Sequence, residues 1–170
     1  MRVGASGVDM VQFADAYRER MRRKLARYAE MDRQRNVSKL QLAVEKGDDQ
    51  ISVASVPGTP FSWSSEERGP SPLAYFLSSL AMCQCVHYAE HAAAEGVRID
   101  SLRFDVEGTY VISHPRSFEE IVYTVRIESP EDPSKIRKLF ETAADDCYVT
   151  GTLRKACRVT GHLVLNGVEQ

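Results

Sequence analysis

Cys83 and Cys147 are the residues of this chain best suited to chemistry. Cys83 lies inside an apolar segment that runs from Pro72 to Glu95, and Cys147 lies in the stretch Asp145-Asp146-Cys147-Tyr148-Val149-Thr150-Gly151-Thr152-Leu153. If the fold brings the two sulfurs together, the first can attack an oxidant and the second can resolve the product as a disulfide. If it does not, both are small buried hydrophobes. At about 3.6 residues per helical turn, His87 and His91 follow Cys83 near one face while Cys85 points away. An imidazole one turn from a thiol can hold it as the thiolate, the attacking form, which makes His87 a candidate thiolate partner. Cys147 follows two carboxylates, Asp145 and Asp146, which disfavour its thiolate and suit a resolving role. Cys157 reads as a core residue at the start of a strand.

Other chemistries lack their parts. Cys83, Cys85, His87 and His91 do not have zinc-site spacing, because Cys85 cannot join Cys83 on a regular helix. His114 and His162 stand alone, so no metal is expected. No Gly-rich phosphate loop stands between a strand and a helix, and no Gly-x-Ser-x-Gly elbow occurs, so neither a nucleotide cofactor nor a serine nucleophile is expected.

Those residues must be positioned by one compact unit. A chain of 170 residues, 43% of them hydrophobic, is enough for one core with surface left for a partner. A net charge of -2 argues against nucleic acid as that partner. The start, Met1 to Gly7, has no apolar signal region, and the longest apolar stretch is interrupted by Ser78, Ser79, Gln84, His87 and Glu90, so neither a signal peptide nor a membrane span is expected. Four cysteines in an unexported, cytoplasmic chain read as reactive or buried thiols rather than as a disulfide framework.

Residues 8 to 32 place Met10, Phe13, Tyr17, Met21, Leu25 and Tyr28 at helical spacing, with Ser6 and Asp9 as a capping box. The polar side of that helix is basic, carrying Arg18, Arg20, Arg22, Arg23, Lys24 and Arg27 against Glu19, and it is expected to dock on a partner subunit. Leu40, Leu42 and Val44, the turn residues Gly47-Asp48-Asp49, then Ile51 and Val53, read as a hairpin. A Pro/Gly/Ser-rich loop from Pro57 to Pro72 follows, holding Trp63 and the triplet Glu66-Glu67-Arg68. Residues 72 to 95 predict a helix apolar or small around most of its circumference in its first half, and so buried at the centre of an assembly. Alternating runs at 99–112 and 121–128 predict a second hairpin. A helix over 134–146, a helical turn over 147–156 and a strand over 157–165 complete an antiparallel α+β arrangement. The chain divides into an N-terminal helical extension, 1–36, and a domain, 37–170.

Gly69-Pro70-Ser71-Pro72-Leu73-Ala74-Tyr75-Phe76 through Ala81-Met82-Cys83 resembles the helix start that carries the first cysteine of the OsmC/Ohr superfamily, the osmotically inducible and organic-hydroperoxide-resistance proteins. Tyr88-Ala89-Glu90 through Gly96-Val97 is similar to its continuation. Cys147-Tyr148-Val149-Thr150-Gly151-Thr152-Leu153 resembles the second cysteine motif, with tyrosine in place of proline. The resemblance implies an intertwined homodimer in which antiparallel sheets wrap two long central helices. It implies a peroxidase cycle in which Cys83 is oxidised by an organic hydroperoxide, Cys147 resolves, and an external dithiol reduces the disulfide. The alternative is a non-enzymatic dimer that binds a small apolar ligand or senses redox state. In the hydroperoxide-resistance branch a glutamate after the helix-start proline pairs with an arginine that activates the thiolate. Leu73 stands in the glutamate's place, Lys46 and Arg68 are the candidate cations, and the chain is nearer the uncharacterised OsmC-like branches.

Overall fold

The computed structural model describes residues 15–31, 37–38, 40–46, 51–65 and 68–170. The expected capping box at Ser6 and Asp9, the turn Gly47-Asp48-Asp49, the pair Glu66-Glu67 and the boundary at 36 fall outside these residues.

The elements follow in the order α1 (Asp15–Met31), β1 (Ala43–Lys46), β2 (Ser52–Ser55), β3 (Ser62–Ser64), α2 (Pro72–Glu95), β4 (Ser101–Val111), β5 (Ser117–Glu128), α3 (Pro133–Asp145), α4 (Tyr148–Leu153), β6 (Arg158–Leu165) and β7 (Val168–Glu169). They form an α+β fold with two sheets, ordered β1-β2-β3 and β4-β5-β6-β7.

Helix α2 has the bounds its sequence dictates. The Ser71 side chain caps the start by accepting from the Ala74 amide, and Pro72 at the first turn has no N–H to leave unpaired. Gly96 ends it in the left-handed conformation, φ 71°, where a side chain would be strained. On β5, Ile121, Tyr123, Val125 and Ile127 alternate inward and are buried. They join Leu80 and Tyr88 of α2, Ile136 and Leu139 of α3, and Leu163 and Leu165 of β6 in one core between the helices and the larger sheet. Each such side chain, fully buried, contributes about 1.5–3 kcal/mol.

Tyr88 is wholly buried and packs edge-on against Phe104, with ring centroids 5.7 Å apart, yet its hydroxyl has no hydrogen-bond partner among the described residues. Tyr88→Phe is therefore expected to leave stability unchanged or raise it by about 1 kcal/mol. A loss of more than about 1 kcal/mol in urea unfolding would contradict that account.

Three features depart from the sequence reading. The Pro57–Pro72 connection holds a strand, β3, in which Trp63 pairs with Ala54 of β2. The β5–β6 pairing is parallel, with Tyr123 opposite Gly161, whereas antiparallel neighbours were expected throughout. The reason is that α3 and α4 form the crossover that returns the chain to the same end of the sheet. A hairpin with Asn166 and Gly167 at positive φ, 48° and 79°, adds β7 beyond the last predicted strand.

The basic helix, α1, lies on α2 of its own chain. Met21 is buried, the Arg22 Nε donates to the Ala94 carbonyl at 2.8 Å, and the Lys24 ammonium pairs with the buried carboxylate of Glu90. An acid buried on α2 selects this docking, because Glu90 without a cation would be a costly lone charge.

Candidate active site

Cys83 projects from the middle of α2, and Cys147 is the second of the two residues between α3 and α4. The Asp146 amide closes α3 by donating to the Thr142 carbonyl, and Cys147 then turns extended, φ -77° and ψ 113°, to become the cap of α4. That break sets the Cys147 side chain against Cys83, within side-chain hydrogen-bonding reach. All four cysteines are free thiols. The Cys147 sulfur accepts from the Thr150 amide at 3.4 Å, while the Val149 and Tyr148 amides are near enough to the Cys83 sulfur to favour its thiolate. The opening of α4 thus acts on both sulfurs.

Burial pushes the Cys83 thiol above its ordinary range. The Val149 amide pulls it down, Cys147 adds to the rise through its hydrogen bond and charge, and the Tyr148 amide opposes it. Burial wins, so the chain by itself leaves Cys83 mostly protonated at neutral pH. Cys85 is likewise raised by burial, and Cys157 packs beside the core with its thiol on the Leu153 carbonyl at 3.8 Å.

Gln84 and Thr150 hold this arrangement, and the sequence reading missed both. Gln84 is fully buried, donates from Nε2 to the Thr150 Oγ1 at 2.9 Å, and lies beside the Tyr123 hydroxyl. It ties α2 to the first turn of α4 and so keeps Cys147 facing Cys83. The available signal was a polar residue beside Cys83 in an apolar helical segment, a position that demands a buried partner.

The two carboxylates beside Cys147 are engaged elsewhere. Asp146 Oδ2 lies 2.7 Å from His91 Nε2, and Arg154 donates to Asp145 at 2.9 Å. His87 lies near Glu90, Nδ1 to Oε2 3.9 Å, and beside the Tyr148 ring, centroids 6.4 Å apart. Burial lowers the His87 pKa, outweighing the upward pull of Glu90 and Asp146, so the imidazole is neutral near pH 7. Lys46 ends β1 and Arg68 precedes α2, both exposed, and neither these cations nor His87 is among the principal groups acting on the Cys83 thiol. Among the described residues, no three or more His, Cys, Asp or Glu side chains are grouped to hold a metal ion, and no helix is long and apolar enough to cross a membrane.

On the Cys147 side, α1, α2 and α4 enclose a cleft of about 900 Å³, with Cys147, His87 and His91 among its lining residues and Leu25 and Tyr28 on its α1 wall.

A family model described as OsmC-like protein matches residues 65–161. Among solved structures, the OsmC-like protein from Mycoplasma pneumoniae is similar at 20% identity and TM-score 0.69, over 76% of this chain and 99% of that one. An organic hydroperoxide resistance protein OsmC from Legionella pneumophila, also described as a predicted redox protein, is similar at 9% identity and TM-score 0.56, over 76% and 99%. The organic hydroperoxide resistance protein OhrB of Bacillus subtilis is similar at 15% identity and TM-score 0.54, over 77% and 100%. At these identities the structures show the fold alone. No curated protein matches the chain.

Proposed function

The chain belongs to the OsmC-like protein family, and from that premise we propose that it is a thiol-dependent peroxidase that reduces organic hydroperoxides as a homodimer. The observation that carries this reading is the meeting of Cys83 and Cys147 at the start of α4, with two amides directed at the Cys83 sulfur. The Cys83 thiolate attacks the terminal oxygen of the hydroperoxide, the O–O bond breaks, and the alkoxide takes a proton and leaves as the alcohol. Cys83 is then a sulfenic acid. Cys147 attacks its sulfur, water leaves, and a disulfide forms that an external dithiol reduces.

The exposed apolar side chains of α2 support both the dimer and the organic substrate. Leu73, Phe76, Met82 and Val86 are 44%, 40%, 69% and 54% exposed in the single chain, a surface suited to burial against a second copy. Met82 and Val86, one turn apart on the helix and close in sequence to Cys83, offer an oxidant an apolar approach. Arg68 and Lys46 are the cations proposed to favour the thiolate. Leu73 supplies no carboxylate to orient them.

Stopped-flow oxidation of the reduced protein by cumene hydroperoxide and by hydrogen peroxide, with disulfide mapping, tests the proposal. Loss of two thiols with a Cys83–Cys147 bridge, faster for the organic peroxide, is expected. The raised thiol of Cys83 also favours a second reading, a non-enzymatic dimer holding a small apolar ligand or acting as a thiol sensor. Slow oxidation without preference between the two peroxides would select it.

The pH dependence follows from the same thiol. Because the thiolate attacks and burial holds Cys83 protonated, its oxidation rate is expected to climb about tenfold per pH unit between pH 6 and 8. A plateau beginning below pH 7 would show instead that a cation has overridden burial.

A further inference from the structure

Resting on the disulfide cycle above, we propose that Gln84 and His91 are positioning residues for its resolving step. From one face of α2 they grip the chain on either side of Cys147, and so decide whether oxidised Cys83 is captured as a disulfide or oxidised further.

The segment needs such a grip. Helix α4 has only six residues, Tyr148–Leu153, too few to be stable by themselves, and Cys147 stands in the break between it and α3. The backbone bonds there are local. The Asp146 amide donates to the Thr142 carbonyl and the Gly151 amide to the Cys147 carbonyl, which ties the segment to α3 and α4 but not to the helix that carries Cys83.

Two side-chain bonds supply that tie. After the sulfur, Thr150 Oγ1 accepts from Gln84 Nε2 at 2.9 Å, both residues being wholly buried. Before it, the Asp146 carboxylate accepts at Oδ2 from His91 Nε2, 2.7 Å away. Gln84 and His91 are seven residues apart, so they share one face of α2. At a rise of about 1.5 Å per residue the two grips stand roughly 10 Å apart along the helix. Held at two points, the break cannot swivel as it could about a single bond.

The fate of the sulfenic acid turns on this geometry. Cys147 must approach in line with the S–O bond of oxidised Cys83: the S–S bond forms, the S–O bond breaks, and the oxygen takes a proton and leaves as water. A second hydroperoxide competes. It transfers an oxygen atom to the same sulfur, leaving an alcohol and a sulfinic acid that does not condense. Only the first route depends on where Cys147 is held.

The test changes the partners of Gln84 and His91, so that α2 itself is untouched. Thr150→Val removes one grip and Thr150→Ser keeps it, whereas Asp146→Leu removes the other and Asp146→Asn keeps an acceptor without the charge. Full-length protein bridged with diamide is equilibrated with dithiothreitol, which gives the effective concentration of the Cys83–Cys147 pair without any peroxide. Each removal is expected to lower it about tenfold and both together about a hundredfold, while the conservative variants stay within about threefold of the parent. With excess cumene hydroperoxide, each removal is expected to raise the ratio of sulfinic acid to disulfide at Cys83 about tenfold, read by mass spectrometry. An unchanged effective concentration in the removals, or an equal loss in the conservative variants, would overturn the proposal. Asp146 is half-exposed, so its two variants decide the matter should Thr150→Val fail to fold. A bridge formed by diamide but never by peroxide would overturn the peroxidase reading alone. Failure of diamide to form the bridge in the parent would overturn both.

Discussion

Cys83→Ser is expected to slow peroxide consumption by on the order of a thousandfold or more, while Cys147→Ser leaves the first oxidation fast and halts the cycle at a sulfenic acid. The asymmetry comes from where the two sulfurs sit. Cys83 has two amides directed at it and the exposed Met82 and Val86 beside it. Cys147 is buried and its sulfur already accepts the Thr150 amide, so its part is to condense with an oxidised neighbour. Trapping with a dimedone adduct, read by mass spectrometry after one equivalent of cumene hydroperoxide, distinguishes the variants. An adduct at Cys83 in Cys147→Ser and none in Cys83→Ser is expected. Equal peroxide consumption by both variants would mean that neither sulfur is the nucleophile.

A large effect on stability is expected at Gly161. It lies directly across the parallel β5–β6 ladder from Tyr123, whose buried ring folds over it. A Cβ there would stand 2.4 Å from the ring Cζ and 2.5 Å from its hydroxyl oxygen, closer than atoms pack. The ring has little freedom to withdraw, since its hydroxyl lies beside Gln84 and its face meets Phe140, centroids 6.4 Å apart. Gly161→Val is therefore expected to cost about 2–3 kcal/mol, lowering Tm by roughly 4–12 °C. Gly151→Ala is the control, because nothing lies within 4 Å of the Cβ it would add. It is expected to change stability by less than about 1 kcal/mol. Similar melting of the two variants would show that the Tyr123 ring yields to a side chain at 161.

How much of this was legible in the sequence depended on whether a feature was written locally. Helix α2 was legible residue by residue, since Ser71, Pro72 and Gly96 mark both ends and the apolar content lies between them. Strands β4 and β5 were legible from long alternation. Strand β3 was not, because Ser62-Trp63-Ser64 is too short to alternate and sits in a Pro/Gly/Ser-rich run. The short β7 was overlooked although Asn166-Gly167 is a strong turn signal, since only two residues follow as strand. The parallel β5–β6 pairing could not be read, because it is set by where the crossover lands rather than by either strand's pattern.

The site divides the same way. Its two cysteines were legible through the motifs around them, but what each sulfur touches was not. Asp145 and Asp146 were read beside Cys147, but the groups that pair with them were not legible. Their partners are Arg154 and, from another helix, His91. The docking of α1 likewise turns on Lys24 meeting Glu90, a contact between distant segments that neither helix announces alone.

The parallel pairing of β5 with β6 also bears on synthesis. A nascent chain that has emerged only through β5 has made Cys83 but no partner sulfur, and one that has emerged through α4 has both sulfurs but lacks the strand that anchors the crossover. The segment that carries Cys147 is held at both ends only once β6 has been made and has paired with a strand that left the ribosome long before it.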